Sequence, residues 1–170
     1  MEKGLIHLYW GDGKGKTTAA MGLALRALAA GRRVVIVQFL KGAKSGEIDM
    51  LSRLGARIYR GKPGHKFVFQ MNEEEKEETR RQQQELLQAA LQEPADMLIL
   101  DEACAACQLH MVPETLLKKV VMEKPETQEL VLTGRDPAPW MKECADYITE
   151  MHNERHPFDR GIKARQGVEF

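Results

Sequence analysis

Apolar residues in this chain come in short runs that end at a glycine or an acid, with longer helix-spaced segments between them. Residues 5–10 form a mostly apolar run stopping at Gly11, and residues 33–40 a β-branched one; both read as buried strands. Between them, residues 16–30 are rich in alanine and leucine, with Met21, Leu25 and Leu28 at helical spacing and Gly31 as the stop. Strand, glycine turn, helix, strand is the order of a βαβ unit, whose two strands run parallel.

The alternation continues. Residues 46–54 predict a short helix, 56–59 a short strand and 61–65 a loop. Asn72 caps a long helix reaching Gln92, with Glu73, Glu74 and Glu75 in its first turn, where the helix dipole favours them. The charge run 73–81 is the solvated face of that helix, and Glu93-Pro94 ends it. Residues 97–101 make a third buried strand, closing on Asp101 and Glu102. A helix over 113–122, a strand over 129–133, a helix over 137–144 and a last strand over 147–150 follow. From His152 onward there is no apolar period, only charge and glycine. Neither a repeat nor a linker interrupts the pattern, so the expectation is one α/β domain over residues 1–170.

Composition narrows the class. An apolar fraction of 43% suits an ordinary globular core, and a formal net charge of zero argues against a main task of clinging to nucleic acid or an anionic membrane. No run is long and apolar enough to span a bilayer, and the N-terminus lacks the basic-then-apolar order of a signal peptide. Three cysteines give no disulfide framework, and the expected home is the cytoplasm.

The chemistry begins at Trp10-Gly11-Asp12-Gly13-Lys14-Gly15-Lys16-Thr17-Thr18. The usual phosphate-loop pattern, G-x-x-x-x-G-K-[ST], wants a glycine where Trp10 stands, and Gly11 comes one residue late. The context is nevertheless right, after a strand and opening a helix. Gly11, Gly13 and Gly15 allow successive N–H groups to turn on phosphate oxygens. The helix N-terminus adds partial positive charge, Lys16 a full one, and Thr17 a hydroxyl for magnesium. Asp101 and Glu102, ending an apolar strand, stand where such folds place the acid that holds magnesium directly or through water. Arg135, in Thr133-Gly134-Arg135, falls at the same sheet edge, either as a phosphate ligand or as a plain surface arginine at a turn. Cys104, Cys107 and His110 would share a helix face, but three ligands fall short of structural zinc, and packed helix cysteines are the better account. His7 reads as a satisfied core histidine.

Taken together, these pieces resemble the P-loop class of corrinoid adenosyltransferases over essentially the whole chain. The resemblance rests on GDGKGKTTAA, on VVIVQFLKG followed by Gly46-Glu47, on LILDE, TGR and Ala145-Asp146, and on the ending HPFDRGIKARQGVEF. It implies a three-layer P-loop NTPase (RecA-like) fold with a mostly parallel central sheet flanked by helices. It also implies that cobalt(I) of a reduced corrinoid attacks the 5′-carbon of ATP and releases triphosphate. Residues Gly11, Asp12, Gly13, Lys14, Gly15, Lys16, Thr17 and Thr18, with Arg135, would bind the nucleotide, and Lys16 would act in catalysis. Thr17, Glu102 and Asp101 would hold Mg2+. Phe67 and Phe69 match the family's aromatic pair, which helps displace an axial cobalt ligand; the other reading is a strand burying two phenylalanines. A homodimer and a flavoprotein reductant are further implications. The small residues 103–107 depart from the bulkier ones expected there. A small-molecule kinase or ATPase of the same fold, or a non-catalytic nucleotide- or corrinoid-binding module, remain as alternatives.

Overall fold

In the computed structural model, which describes residues 2–42, 45–61 and 66–169, the central strands alternate their side chains between two apolar layers. The strands are β1 (Ile6–Trp10), β2 (Val34–Gln38), β3 (Arg57–Arg60), β4 (Met97–Asp101), β5 (Glu129–Gly134) and β6 (Tyr147–Glu150). The helices are α1 (Lys16–Ala29), α2 (Gly46–Arg53), α3 (Glu73–Leu91), α4 (Ala103–Gln108), α5 (Glu114–Met122) and α6 (Pro139–Cys144). No helix among the described residues is long and apolar enough to cross a membrane. The predicted loop at 61–65 lies, apart from Gly61, outside the described residues.

The sheet is parallel throughout, in the order β3-β2-β4-β5-β1-β6. On one face Leu8, Val35, Val37, Leu98, Leu100, Leu130 and Leu132 pack against α3 to α6. On the other, Ile36, Ile99 and Val131 pack against Ala20, Met21, Ala24 and Ala27 of α1 and Ile48 and Leu51 of α2. Period-two strands between period-3.6 helices therefore make the three layers that the family resemblance implies. Placing β5 between β1 and β4 gives the RecA-like arrangement, in which a third strand separates the phosphate-loop strand from the acid strand.

Local chemistry fixes the ends of several elements. Asn72 Oδ1 accepts from the Glu75 amide at 2.8 Å while the Glu75 carboxylate accepts from the Asn72 amide at 3.0 Å, a capping box for α3. Asp146 Oδ2 accepts from the Ile6 amide at 2.8 Å, tying the start of β6 to β1. His7 Nε2 meets Glu129 Oε2 at 2.9 Å and its ring stacks on Tyr147, so the histidine is satisfied as expected.

Asp96 accepts from the Arg33 backbone and guanidinium, at 2.8 and 2.6 Å for the closest contacts, pinning the starts of β2 and β4 together. The Arg33 hydrogen bonds hold its carboxyl at about 2, well below the usual 3.8. A carboxyl depressed on folding contributes stability above its unfolded pKa and loses it as pH falls through the folded one. Acid melts of Asp96→Asn should therefore lose the part of the wild-type pH dependence that falls between 3.8 and about 2.

Candidate active site

The carboxyl ends of β1, β4 and β5 meet at a cleft of about 390 Å³. Lys14, Lys16, Thr17, Glu102, Arg135 and Asp136 line it, and His156 and Glu169 reach it from the C-terminal tail. This is the edge where ligands of open α/β sheets bind.

Trp10 is still strand. It pairs with Gly134 of β5 and Glu150 of β6, so the loop proper begins only at Gly11. Its ring packs against the core, with Lys142 Nζ 3.5 Å from the ring centroid. The next residues are stitched to neighbouring backbone. The Gly11 amide donates to the Arg135 carbonyl (3.2 Å), the Gly13 amide to the Met151 carbonyl (2.6 Å), and the Met151 amide to the Trp10 carbonyl (2.7 Å). A Cβ on Gly11 or Gly13 would sit 2.4 or 2.6 Å from the Met151 oxygen. Gly15 then turns the chain into α1 with a φ of 121°. A glycine in the capping position brings no side chain to the first-turn N–H groups of Lys16, Thr17 and Thr18, which leaves them for an anion.

The charged side chains divide by task. Lys16 Nζ donates to the Gly13 carbonyl at 2.7 Å, and desolvation, then the Arg135 charge, lower its pKa. Two cations held near each other over first-turn amides make a site for a polyanion. Lys14 reaches the Val168 carbonyl at 3.1 Å, and Asp12 accepts from the Asn153 amide at 2.9 Å, so both side chains hold the tail against the loop. Arg135 is exposed on the cleft wall.

Asp101 is fully buried and fully engaged. Its Oδ1 accepts from Thr17 Oγ1 at 2.9 Å and Thr133 Oγ1 at 2.7 Å; its Oδ2 accepts from Gln38 Nε2 at 3.1 Å and Lys41 Nζ at 2.7 Å. Four donors occupy the roughly four lone-pair sites of a carboxylate. Glu102 follows in a left-handed conformation, φ 61°, with its amide donating to Thr133 Oγ1 at 3.0 Å. Burial raises its pKa, partly offset by Lys41.

Lys41 and Gln38 carried no assignment from the sequence. Lys41 comes from the turn after β2, where Leu40 adopts a φ of 57° and its amide donates to Gln83 Oε1 at 2.9 Å. That turn folds the chain back over the sheet edge. No local pattern signals it, because Lys41 meets Asp101 only through the pairing of β2 with β4.

Cys104 and Cys107 are buried on α4, as packed helix cysteines. Desolvation pushes the Cys104 thiol to about 12, away from the thiolate a metal requires. The small residues of α4 have a packing reason. A Cβ on Gly134, whose φ is 155°, would lie 2.3 Å from the Cys104 Cβ. Phe67 and Phe69 overturn the buried-strand alternative. They flank and enter a short 3-10 turn (Val68–Gln70), their rings stack at 5.6 Å, and they are 71% and 82% exposed.

The model of the ATP:corrinoid adenosyltransferase family BtuR/CobO/CobP matches residues 2–170. The chain belongs to this family. It is 32% identical to the corrinoid adenosyltransferase of Escherichia coli strain K12 over 170 residues, 99% of this chain and 87% of that one. The corrinoid adenosyltransferase of Pseudomonas aeruginosa is 33% identical over 172 residues, 99% and 85% of the two chains. A corrinoid adenosyltransferase from Sinorhizobium sp is 35% identical over 174 residues, 99% and 81%. A family of ATP-dependent transferases fits a phosphate loop and an acid strand at one edge of a RecA-like sheet.

Proposed function

We propose that the protein transfers the 5′-deoxyadenosyl group of ATP to the cobalt(I) of a reduced corrinoid. The electron pair of cobalt(I) forms the bond to the 5′-carbon, and the bond from that carbon to oxygen breaks with its electrons leaving on triphosphate. The observation that carries this reading is the loop that starts only at Gly11, inside a chain belonging to the adenosyltransferase family. A kinase must stabilise a γ-phosphoryl in flight. Here the same amides and cations have a whole triphosphate to hold as leaving group.

The first-turn N–H groups after Gly15, with Lys16 and Arg135, bind and orient the triphosphate. Lys16 neutralises charge that grows on the leaving oxygens, a stabilisation worth most where water is excluded. Asp12 and Lys14 act from the side, by holding residues 151–153 and Val168 against the loop.

The oxygens of Thr17, Glu102 and Asp101 are hard donors suited to magnesium, and an ammonium already lies among them, so the residues fit a cation. Thr17 and Glu102 would hold Mg2+, with Asp101 aligning Thr17; when bound, the ion supplies charge neutralisation to the triphosphate. We further take the enzyme to work as a cytoplasmic homodimer supplied with electrons by a flavoprotein.

Phe67 and Phe69, stacked on each other and both exposed, form the apolar contact for the corrin. Replacing both with alanine should raise KM for the corrinoid and slow cobalt(II) reduction. KM for ATP should hold, and stability should move by less than about 0.5 kcal/mol because both rings are exposed.

The deciding assay mixes protein, ATP, magnesium and chemically reduced cobalamin without oxygen. A light-sensitive cobalt–carbon product with stoichiometric triphosphate is expected. ADP in place of triphosphate would make the protein a phosphoryl-transfer enzyme instead.

A further inference from the structure

Thr17 Oγ1, Asp101 Oδ2 and Glu102 Oε1 surround the proposed cation site, Thr17 and Glu102 as the groups that would hold the ion and Asp101 as the group that aligns Thr17. The ammonium of Lys41 touches all three, at 3.2, 2.7 and 3.7 Å. We propose that Lys41 is the resident cation of the nucleotide-free enzyme, a positioning residue that makes metal entry conditional on ATP. The inference rests on the metal reading of those three residues.

The argument is one of charge and of donors. One ammonium contacts both the fully buried Asp101 carboxylate and that of Glu102, and without a cation two anions so placed would disfavour each other. Lys41 satisfies them, yet its side chain remains about a third exposed, so it has a way out. The backbone holds it there by a non-glycine residue in a left-handed turn, Leu40, anchored by Gln83. Strain of that kind persists only where the surroundings over-determine it. The carboxylate of Asp101 has no free lone pair until Lys41 leaves.

ATP supplies what releases the lysine. A triphosphate on the loop offers Lys41 new anionic partners beside Lys16 and Arg135, and the metal that accompanies the nucleotide takes over the oxygens of Thr17 and Glu102. Metal alone gives Lys41 no place to go, so it competes at a disadvantage. A strictly structural lysine, present only to neutralise Asp101, would predict no such coupling.

Mn2+ alone, followed by electron paramagnetic resonance of the free ion, tests this on the full-length protein, since manganese accepts the same octahedral oxygen sites. Wild type is expected to bind Mn2+ poorly without nucleotide and stoichiometrically with ATP. Lys41→Met should bind Mn2+ alone at least about tenfold more tightly than wild type, because a competing unit charge has left the site. Its melting temperature should rise with Mg2+ alone, where that of wild type does not. Lys41→Arg keeps the charge and should behave as wild type. Should Lys41→Met fail to fold, Lys41→Gln, which can still donate to Asp101, carries the same comparison. Equal Mn2+ affinity of variant and wild type without nucleotide, with binding intact in ATP, overturns the role of Lys41 and leaves the metal site standing. Absence of Mn2+ binding even with ATP overturns the metal site, and this inference with it.

Discussion

Lys16→Ala is expected to lower kcat/KM for ATP by about 10²–10³-fold, the range seen when one preorganised charge donor is lost from a site where charge develops. The fold should barely notice. Among the described residues the side chain makes one hydrogen bond, to the Gly13 carbonyl, so the stability change should stay within about 1 kcal/mol. Steady-state kinetics beside a thermal melt separates the two. Lys14→Ala is the internal comparison: its ammonium holds the Val168 carbonyl, so a smaller kinetic loss is expected. Equal losses at the two positions would mean that the loop needs net positive charge and not a lysine at the helix start.

Gly134→Ala should be the most destabilising of the substitutions considered. Its φ of 155° is one that side chains rarely adopt, and the new methyl would approach Cys104 Cβ to 2.3 Å and Sγ to 2.7 Å. Overpacking and backbone strain together should cost about 3–4 kcal/mol. In a chain of this size that lowers the melting temperature by roughly 10 °C. Rescue separates the causes. Cys104→Ala removes the sulfur but leaves the closer Cβ, so it should restore little, whereas Cys104→Gly should restore the packing share and not the backbone share. Binding of ATP should weaken too, because Gly134 precedes Arg135 and α4 follows Glu102.

What could be read from the chain itself has a physical boundary. The central strands were legible because they bury both faces, and a run such as Val34–Gln38 has no other use. The long helix was legible because Asn72 and Glu75 announce its start, and Glu102 and Lys16 because their spacing to strand ends is local. The cross-strand order of the sheet was not legible, and it is what sets Thr133 and Lys41 around Asp101. Residues 33–40 read as one strand, yet the ladder stops at Gln38 because Leu40 leaves the extended region. The tail shows no apolar period because its segment from His152 is tied down by backbone and charge: Asn153 on Asp12, Val168 on Lys14, Arg165 on Glu169. For Phe67 and Phe69 the chain left two readings, the family's aromatic pair and a strand burying both rings; their exposure, a tertiary fact, removes the second.

The contact of Gly11 and Gly13 with Met151 divides the phosphate loop into two parts that should exchange their amide protons on different clocks. The amides of Gly11 and Gly13 donate to protein carbonyls before any ligand arrives, so they should be protected from deuterium at rest. Those of Lys16 to Thr18 should exchange quickly until a triphosphate covers them. The shortened motif thus trades a mobile half for a fastened one. Its first glycines answer to the polypeptide, and only the last of them to the nucleotide.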